Sequence, residues 1–136
     1  MTVNRLPALT PETRAFWTSG ERGALDICRC KQCARWIHPP QPICAPCLSF
    51  DVQPQPVSGR GRVMSFTINE QAWVPGQQVP FVFAVIELEE QVGLWVMSRI
   101  VGCSPEQVEI GMPVRVRFEH VEDVWLPLFE PECGNV

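Results

Sequence analysis

Apolar and polar residues alternate with a period of two through much of the second half of this chain, as in strands with one face in a core and one in water. In Met64-Ser-Phe-Thr-Ile-Asn69 the alternation is clean and predicts a half-buried strand. Pro75-Gly76 breaks it. Phe81-Val-Phe-Ala-Val-Ile86 is apolar on both faces, as a strand covered on both sides would be, until Glu87 and Glu89 return one face to water. Glu90-Gln-Val-Gly93 turns the chain into a third strand, Leu94 to Val101. Ser104-Pro-Glu-Gln107 has the capping-box pattern with proline at the first helical position, which predicts one short helical turn. Val114, Val116 and Phe118 alternate with Arg115, Arg117 and Glu119 in a fourth strand. Trp125-Leu-Pro-Leu-Phe129 makes a fifth, placed at an edge because proline cannot donate to a ladder. Five strands with a helical insertion between the third and fourth are the layout of an OB-type Greek-key barrel.

The first half reads differently. Thr10-Pro11-Glu12 is a helix start, with a hydroxyl cap, a proline and an acid near the positive end. The helix is predicted to run to about Ser19 and stop at Gly20. It carries Phe16 and Trp17, which are expected to pack, since a short terminal helix needs docking to persist. The alternative is that they line a ligand or partner groove. Gln53-Pro-Gln-Pro56 reads as a stiff connector. The chain thus divides into a helical segment over 1–24, a ribbon over 25–52 and a barrel over 53–136.

Chemistry concentrates in the ribbon. Cys30-Lys-Gln-Cys33 and Cys44-Ala-Pro-Cys47 are two Cys-x-x-Cys pairs, each short enough to clamp one side of a tetrahedral metal. Thiolates sit about 2.3 Å from Zn²⁺, and two pairs close a structural site with no open position. A ribbon of roughly 25 residues is too small for a core of its own, and metal binding supplies what the core cannot. Rubredoxin-like iron is the rival occupant. Two disulfides would use the same thiols, but Met1-Thr-Val-Asn-Arg-Leu-Pro7 has no apolar signal stretch, which favours a reducing, cytoplasmic setting. Zinc knuckles usually carry glycine just after the second cysteine, where φ is often positive. Here those positions are Ala34 and Leu48, so the loops must relax or strain. Cys28, Cys103 and Cys133 read as spare, buried thiols.

Taken in order, Phe16-Trp17, Cys30-x-x-Cys33, His38-Pro39-Pro40, Cys44-x-x-Cys47, Ser58-Gly59-Arg60-Gly61, Ile110-Gly-Met-Pro-Val114 and Pro127-Leu-Phe-x-Pro131 resemble a known family. It is the zinc-ribbon and OB-fold family catalogued as domain of unknown function 35, and the resemblance covers about residues 12 to 131. It implies a non-catalytic partner of thiolase-fold enzymes, among them thiolases, acyltransferases and steroid side-chain retro-aldolases. Such a partner helps to form the acyl-CoA site in a hetero-oligomer. It also implies that Cys30, Cys33, Cys44 and Cys47 hold the metal. The sequence departs from the family at Ala34, where glycine is usual.

Charge separates the remaining functions. Residues 1–62 hold eight Lys/Arg and four Asp/Glu (+4), while residues 63–136 hold three and eleven (−8). A barrel of that sign repels phosphate, which argues against one runner-up, a single-strand nucleic-acid module; the other is an iron-binding, rubredoxin-like redox protein. Basic residues gather around the ribbon (Arg22, Arg29, Lys31, Arg35) and at the barrel entrance (Arg60, Arg62). Of these, Arg35, Arg60 and Arg62 join Phe16 and Trp17 as positions to meet a coenzyme A or an acidic partner. No apolar run is long enough to span a bilayer. His38 lies in a proline turn and His120 near a strand end, neither in a catalytic spacing, and Cys103 has no activating neighbour in sequence. Ser58-Gly-Arg-Gly-Arg62 lacks the full dinucleotide pattern and reads as a bend opening the first barrel strand. The sequence therefore points to an accessory subunit for an acyl-CoA enzyme.

Overall fold

The structure is a computed structural model that describes residues 9–11, 13–72 and 79–132. It is mainly β, with a short helix, a ribbon sheet and a closed barrel. The ribbon sheet has the order β2-β1-β3, built from β1 (Leu25–Cys30), β2 (Trp36–Ile37) and β3 (Val52–Val57), all antiparallel. The expected connector at Gln53–Pro56 is part of β3, with Pro54 opposite Cys28 and Pro56 opposite Asp26. An edge strand tolerates those prolines, which is how a connector-like sequence forms a strand. The opposite edge, β2, is closed by a side chain. Gln91 donates through Nε2 to the Trp36 carbonyl (3.1 Å) and accepts the Trp36 N–H at Oε1 (2.9 Å), tying the ribbon to the barrel.

The barrel runs β4 (Arg60–Asn69), β5 (Phe81–Leu88), β6 (Trp95–Ile100), β7 (Pro113–Val121) and β8 (Val124–Pro131). Its spatial order is β4-β5-β6-β8-β7, closed by β4 against β7, with β6 and β8 parallel. This is the OB-type barrel that the alternation predicts. Ser104 and Gln107 form the capping box of a 3-10 turn between β6 and β7, as expected.

Three further expectations are corrected. The alternation at 64, 66 and 68 does not bury one face, because the β4–β5 register shifts between Val63 and Ser65. The bulge leaves Met64 outside, while Val63 is the buried residue of the strand. The fifth strand is not a free edge, because β8 pairs along its length with β7 and at Phe129 with Ile100 of β6. Pro127 survives there because the β6 ladder is sparse, and its carbonyl accepts the buried Ser98 hydroxyl at 2.6 Å. Finally, the regular helix α1 spans Arg14–Thr18 and passes into a 3-10 turn over Ser19–Arg22, stopping at Gly23 (φ 79°), not Gly20. Thr10 and Thr13 still bond reciprocally through hydroxyl and N–H (3.0 and 3.2 Å), satisfying the turn's free donors. Glu12, Trp73, Pro75, Gly76 and Cys133 lie outside the described residues.

Gly20 serves close approach. A Cβ there would lie 2.5 Å from Phe118 Cδ1 and 2.8 Å from Trp125 Cβ, so the 3-10 turn sits directly on β7 and β8. Phe16, Leu25, Ile27, Trp36 and Val57 then join Val63, Ile86, Val96, Val114 and Phe129 in one buried cluster. The ribbon, too small to bury its own apolar groups, uses the barrel's core.

Candidate metal centre and flanking grooves

Two loops of matching geometry bring the four cysteines together. In the first, the Ala34 N–H bonds the Cys30 carbonyl (2.9 Å) and the Cys30 N–H bonds the Arg35 carbonyl (2.8 Å). In the second, the Leu48 N–H bonds the Cys44 carbonyl (2.6 Å) and the Cys44 N–H bonds the Ser49 carbonyl (2.8 Å). Closing such a turn puts its fifth residue in the left-handed region, and Ala34 (φ 67°) and Leu48 (φ 61°) both lie there. Of the two outcomes left open by the sequence, the loops strain; they do not relax.

The Sγ atoms of Cys30, Cys33, Cys44 and Cys47 all lie within 4.8 Å of one another, with Cys30–Cys47 at 3.5 Å and Cys33–Cys44 at 3.6 Å. A tetrahedron of thiolates about 2.3 Å from its centre has edges of about 3.8 Å, so the set fits a metal ion. The four are free thiols in the structure, not two disulfides. Cys30 and Cys44 are buried and Cys33 and Cys47 face outward. The Cys33 and Gln32 backbone N–H groups bring the Cys30 thiol down to about 6, making it a ready thiolate. All four ligand positions belong to the protein, so such a site holds structure and offers no coordination position for a substrate.

The other sequence-selected residues scatter. Phe16 is buried, packed edge-on to the half-buried Trp17 (4.7 Å between centroids) and beside His38 (4.8 Å). His38 stands apart from the thiol cluster. Burial pulls its pKa down to about 4, so it is neutral near pH 7. Together with Phe16, Asp26 and Cys28 it lines a cavity of about 180 Å³. His120 is exposed and stacked on Trp125 (3.9 Å, 3° between planes). Cys28 and Cys103 are only partly buried, and desolvation raises both thiols. None of these side chains forms a nucleophile–base pair.

Arg60 and Arg62 do share a groove, of about 480 Å³, with Glu87, Glu89, Gln91, Val92 and Glu132. Arg60 faces Glu132 (3.1 Å) and Arg62 faces Glu87 (3.9 Å), so each guanidinium already has a carboxylate. Arg35, exposed on the first metal loop, has no ion pair among the described residues. The Gln91 clasp escaped the sequence reading. The double-sided apolar pattern of 81–86 did signal the apolar outer face of β5 and β6, but that strand is not covered on both sides: Phe83 is exposed, beside Trp95 and Met97 of β6.

Comparison with known proteins fits this geometry. Residues 17–53 match the rubredoxin-like zinc ribbon domain of ChsH2, and residues 54–119 match the ChsH2 C-terminal OB-fold domain. A DUF35 domain-containing scaffold protein of Methanocaldococcus jannaschii is 35% identical over 105 residues, covering 76% of this chain and 73% of that protein. A probable enoyl-CoA hydratase alpha subunit of Thermomonospora curvata is 32% identical over 126 residues, covering 92% of this chain but 39% of that protein. The chain therefore spans about two fifths of that relative's length. A solved chain of an Ltp2-ChsH2(DUF35) aldolase is 34% identical with a TM-score of 0.81, covering 93% of this chain and 98% of that one.

Proposed function

Because this chain belongs to the DUF35 family of zinc-ribbon and OB-fold proteins, we propose that it is a non-catalytic accessory subunit of a thiolase-fold enzyme acting on acyl-CoA. The observation that carries the reading is the likeness, at 34% identity over nearly the whole length of both chains, to a component of an aldolase assembly. The side chains agree with it. The metal site is closed by four protein thiols, and the two histidines are respectively half-buried and stacked on tryptophan. The ion is zinc, as the ribbon family's description says of its own domain. The protein works in the cytoplasm, where thiolates persist.

In the assembled enzyme this chain helps to shape the acyl-CoA site in a hetero-oligomer. Arg35 brings a free positive charge to phosphate, while Arg60 and Arg62 would exchange their carboxylates for it. Trp17 offers an apolar face near the ribbon, and Phe16 supports it from behind. The similarity to a CoA hydratase subunit favours a second reading, in which the partner is a hydratase; both partners handle acyl-CoA.

The test is co-expression with a thiolase-fold enzyme from the same genome, and separately with a CoA hydratase, followed by size-exclusion chromatography and turnover assays. Co-elution and a gain in activity with the thiolase-fold enzyme are expected. Separate elution with unchanged turnover in both pairings would overturn the accessory reading. Tight, salt-sensitive binding to single-stranded DNA would favour the nucleic-acid alternative instead.

A further inference from the structure

The barrel's outer surface has two different characters. On β7 it carries Arg115 and Arg117, both held by Glu130 of β8 at 3.1 and 3.5 Å. On β5 and β6 it is apolar. Phe81, Phe83 and Val85 alternate with the buried Val82, Ala84 and Ile86, and the register sets Val85 opposite Met97 and Glu87 opposite Trp95. The bulge in β4 leaves Met64 outside as well. Trp95, Met97, Phe83 and Met64 are 51, 67, 42 and 36% exposed. Such side chains together show water on the order of 400 Å² of surface, at the level where a patch on a soluble protein marks an interaction site.

We infer that the outer face of β5 and β6 is the surface on which the enzyme proposed above docks, an inference that rests on that proposal. Its composition is that of an interface core, with Trp, Phe and Met at the centre and Arg62 and Arg99 at the margin. The area is about half of what one side of a standard interface buries, so a folded subunit with a polar rim fits it. Ser65, Thr67 and Glu87 supply that rim on this chain, as the neighbours of Val85, Phe83 and Trp95 on adjacent strands. Charge selects a heterologous partner. A second copy would bring another stretch carrying −8 over residues 63–136 against the first, whereas a neutral or basic enzyme surface meets no such field. The face also runs into the groove of Arg60 and Arg62, since Trp95 Nε1 donates to Glu87 Oε2 (3.4 Å) and Glu87 lines that groove. An enzyme seated on Trp95 therefore reaches the two arginines.

The experiment uses the full chain, zinc-loaded, titrated calorimetrically against the thiolase-fold enzyme that co-elutes with it. Trp95→Ala should weaken binding by about 30-fold and Met97→Lys by about 100-fold or more, with melting curves and zinc content unchanged. Arg117→Ala, on the opposite side of the barrel, should bind within about 2-fold of wild type. Met97 should also be protected from peroxide oxidation in the complex, which reads the surface without any substitution. If both variants bind within about 3-fold of wild type, or Met97 oxidises equally in the complex, the face is wrong and the accessory reading stands. If the wild type binds no such enzyme, both fall together. If sedimentation shows a wild-type dimer that Met97→Lys dissolves, the occupant is a second copy and this inference is overturned.

Discussion

Replacing Leu48 with glycine should strengthen metal binding, although it removes a large apolar side chain. Leu48 sits at φ 61° because the second metal loop closes through its N–H onto the Cys44 carbonyl. An L-residue held in the left-handed region costs roughly 1–2 kcal/mol. Glycine removes that cost but makes the unfolded chain freer, which returns about 0.4–1 kcal/mol. Little burial is lost, since Leu48 is 69% exposed. The net gain is about 0.5–1 kcal/mol, or roughly 2- to 5-fold in metal affinity, because the metal-free ribbon is the less ordered reference. Ala34→Gly in the first loop (φ 67°) should behave alike, and the two should add because they lie on separate loops. Competition against a chromophoric zinc chelator measures the effect. Arg35→Gly is the control: it adds the same chain freedom at a residue whose φ is not positive, so it should weaken binding by a similar amount. Equal weakening by all three glycines would refute the argument, since it would mean that the loops carry no strain for glycine to relieve.

Purified protein should carry one colourless zinc per chain, and Cys30→Ser should lower zinc affinity by more than the roughly 10–100-fold that an outer partner costs; stoichiometric iron with visible absorbance would contradict this. Gly20→Ala should destabilise the protein by about 1–3 kcal/mol in urea titration, because its Cβ would meet Phe118 and Trp125; an unchanged midpoint would show that the 3-10 turn can lift freely. Acid should cost stability through His38, whose pKa is about 4 folded against an ordinary 6.5. The unfolded chain then binds the extra proton first, so this contribution is complete above pH 6.5 and lost as pH falls towards 4, a loss on the order of 3 kcal/mol. His38→Phe, which keeps a ring against Phe16, should flatten the profile in that window; identical profiles for both proteins would assign the acid loss elsewhere.

Local rules carried much of this protein. Cys30-x-x-Cys33 and Cys44-x-x-Cys47 announce a four-thiol site because the bite of each pair is set within four residues. Ser104 and Gln107 make their capping box within one turn, and the alternation through Val114 to Phe118 marks a strand whose outer face carries Arg115 and Arg117. Each of these depends on contacts close in sequence, so the sequence alone determined them.

Tertiary structure decided what depends on a distant neighbour. Alternation at 64, 66 and 68 cannot say that β4 bulges, since the bulge exists only against β5. Pro127 signals an edge, but closure of the barrel between β6 and β7 places it inside, with its carbonyl on Ser98. Pro54 and Pro56 read as a connector until β1 lies beside them. Gly20 ends no helix; Phe118 and Trp125, about a hundred residues away, forbid it a side chain. The same holds for Phe81 to Ile86. Its sequence states that both faces are apolar, but only the folded barrel shows which face the chain buries and which it leaves exposed to water. Burial is a property of the surroundings, and those form only when the whole chain has closed.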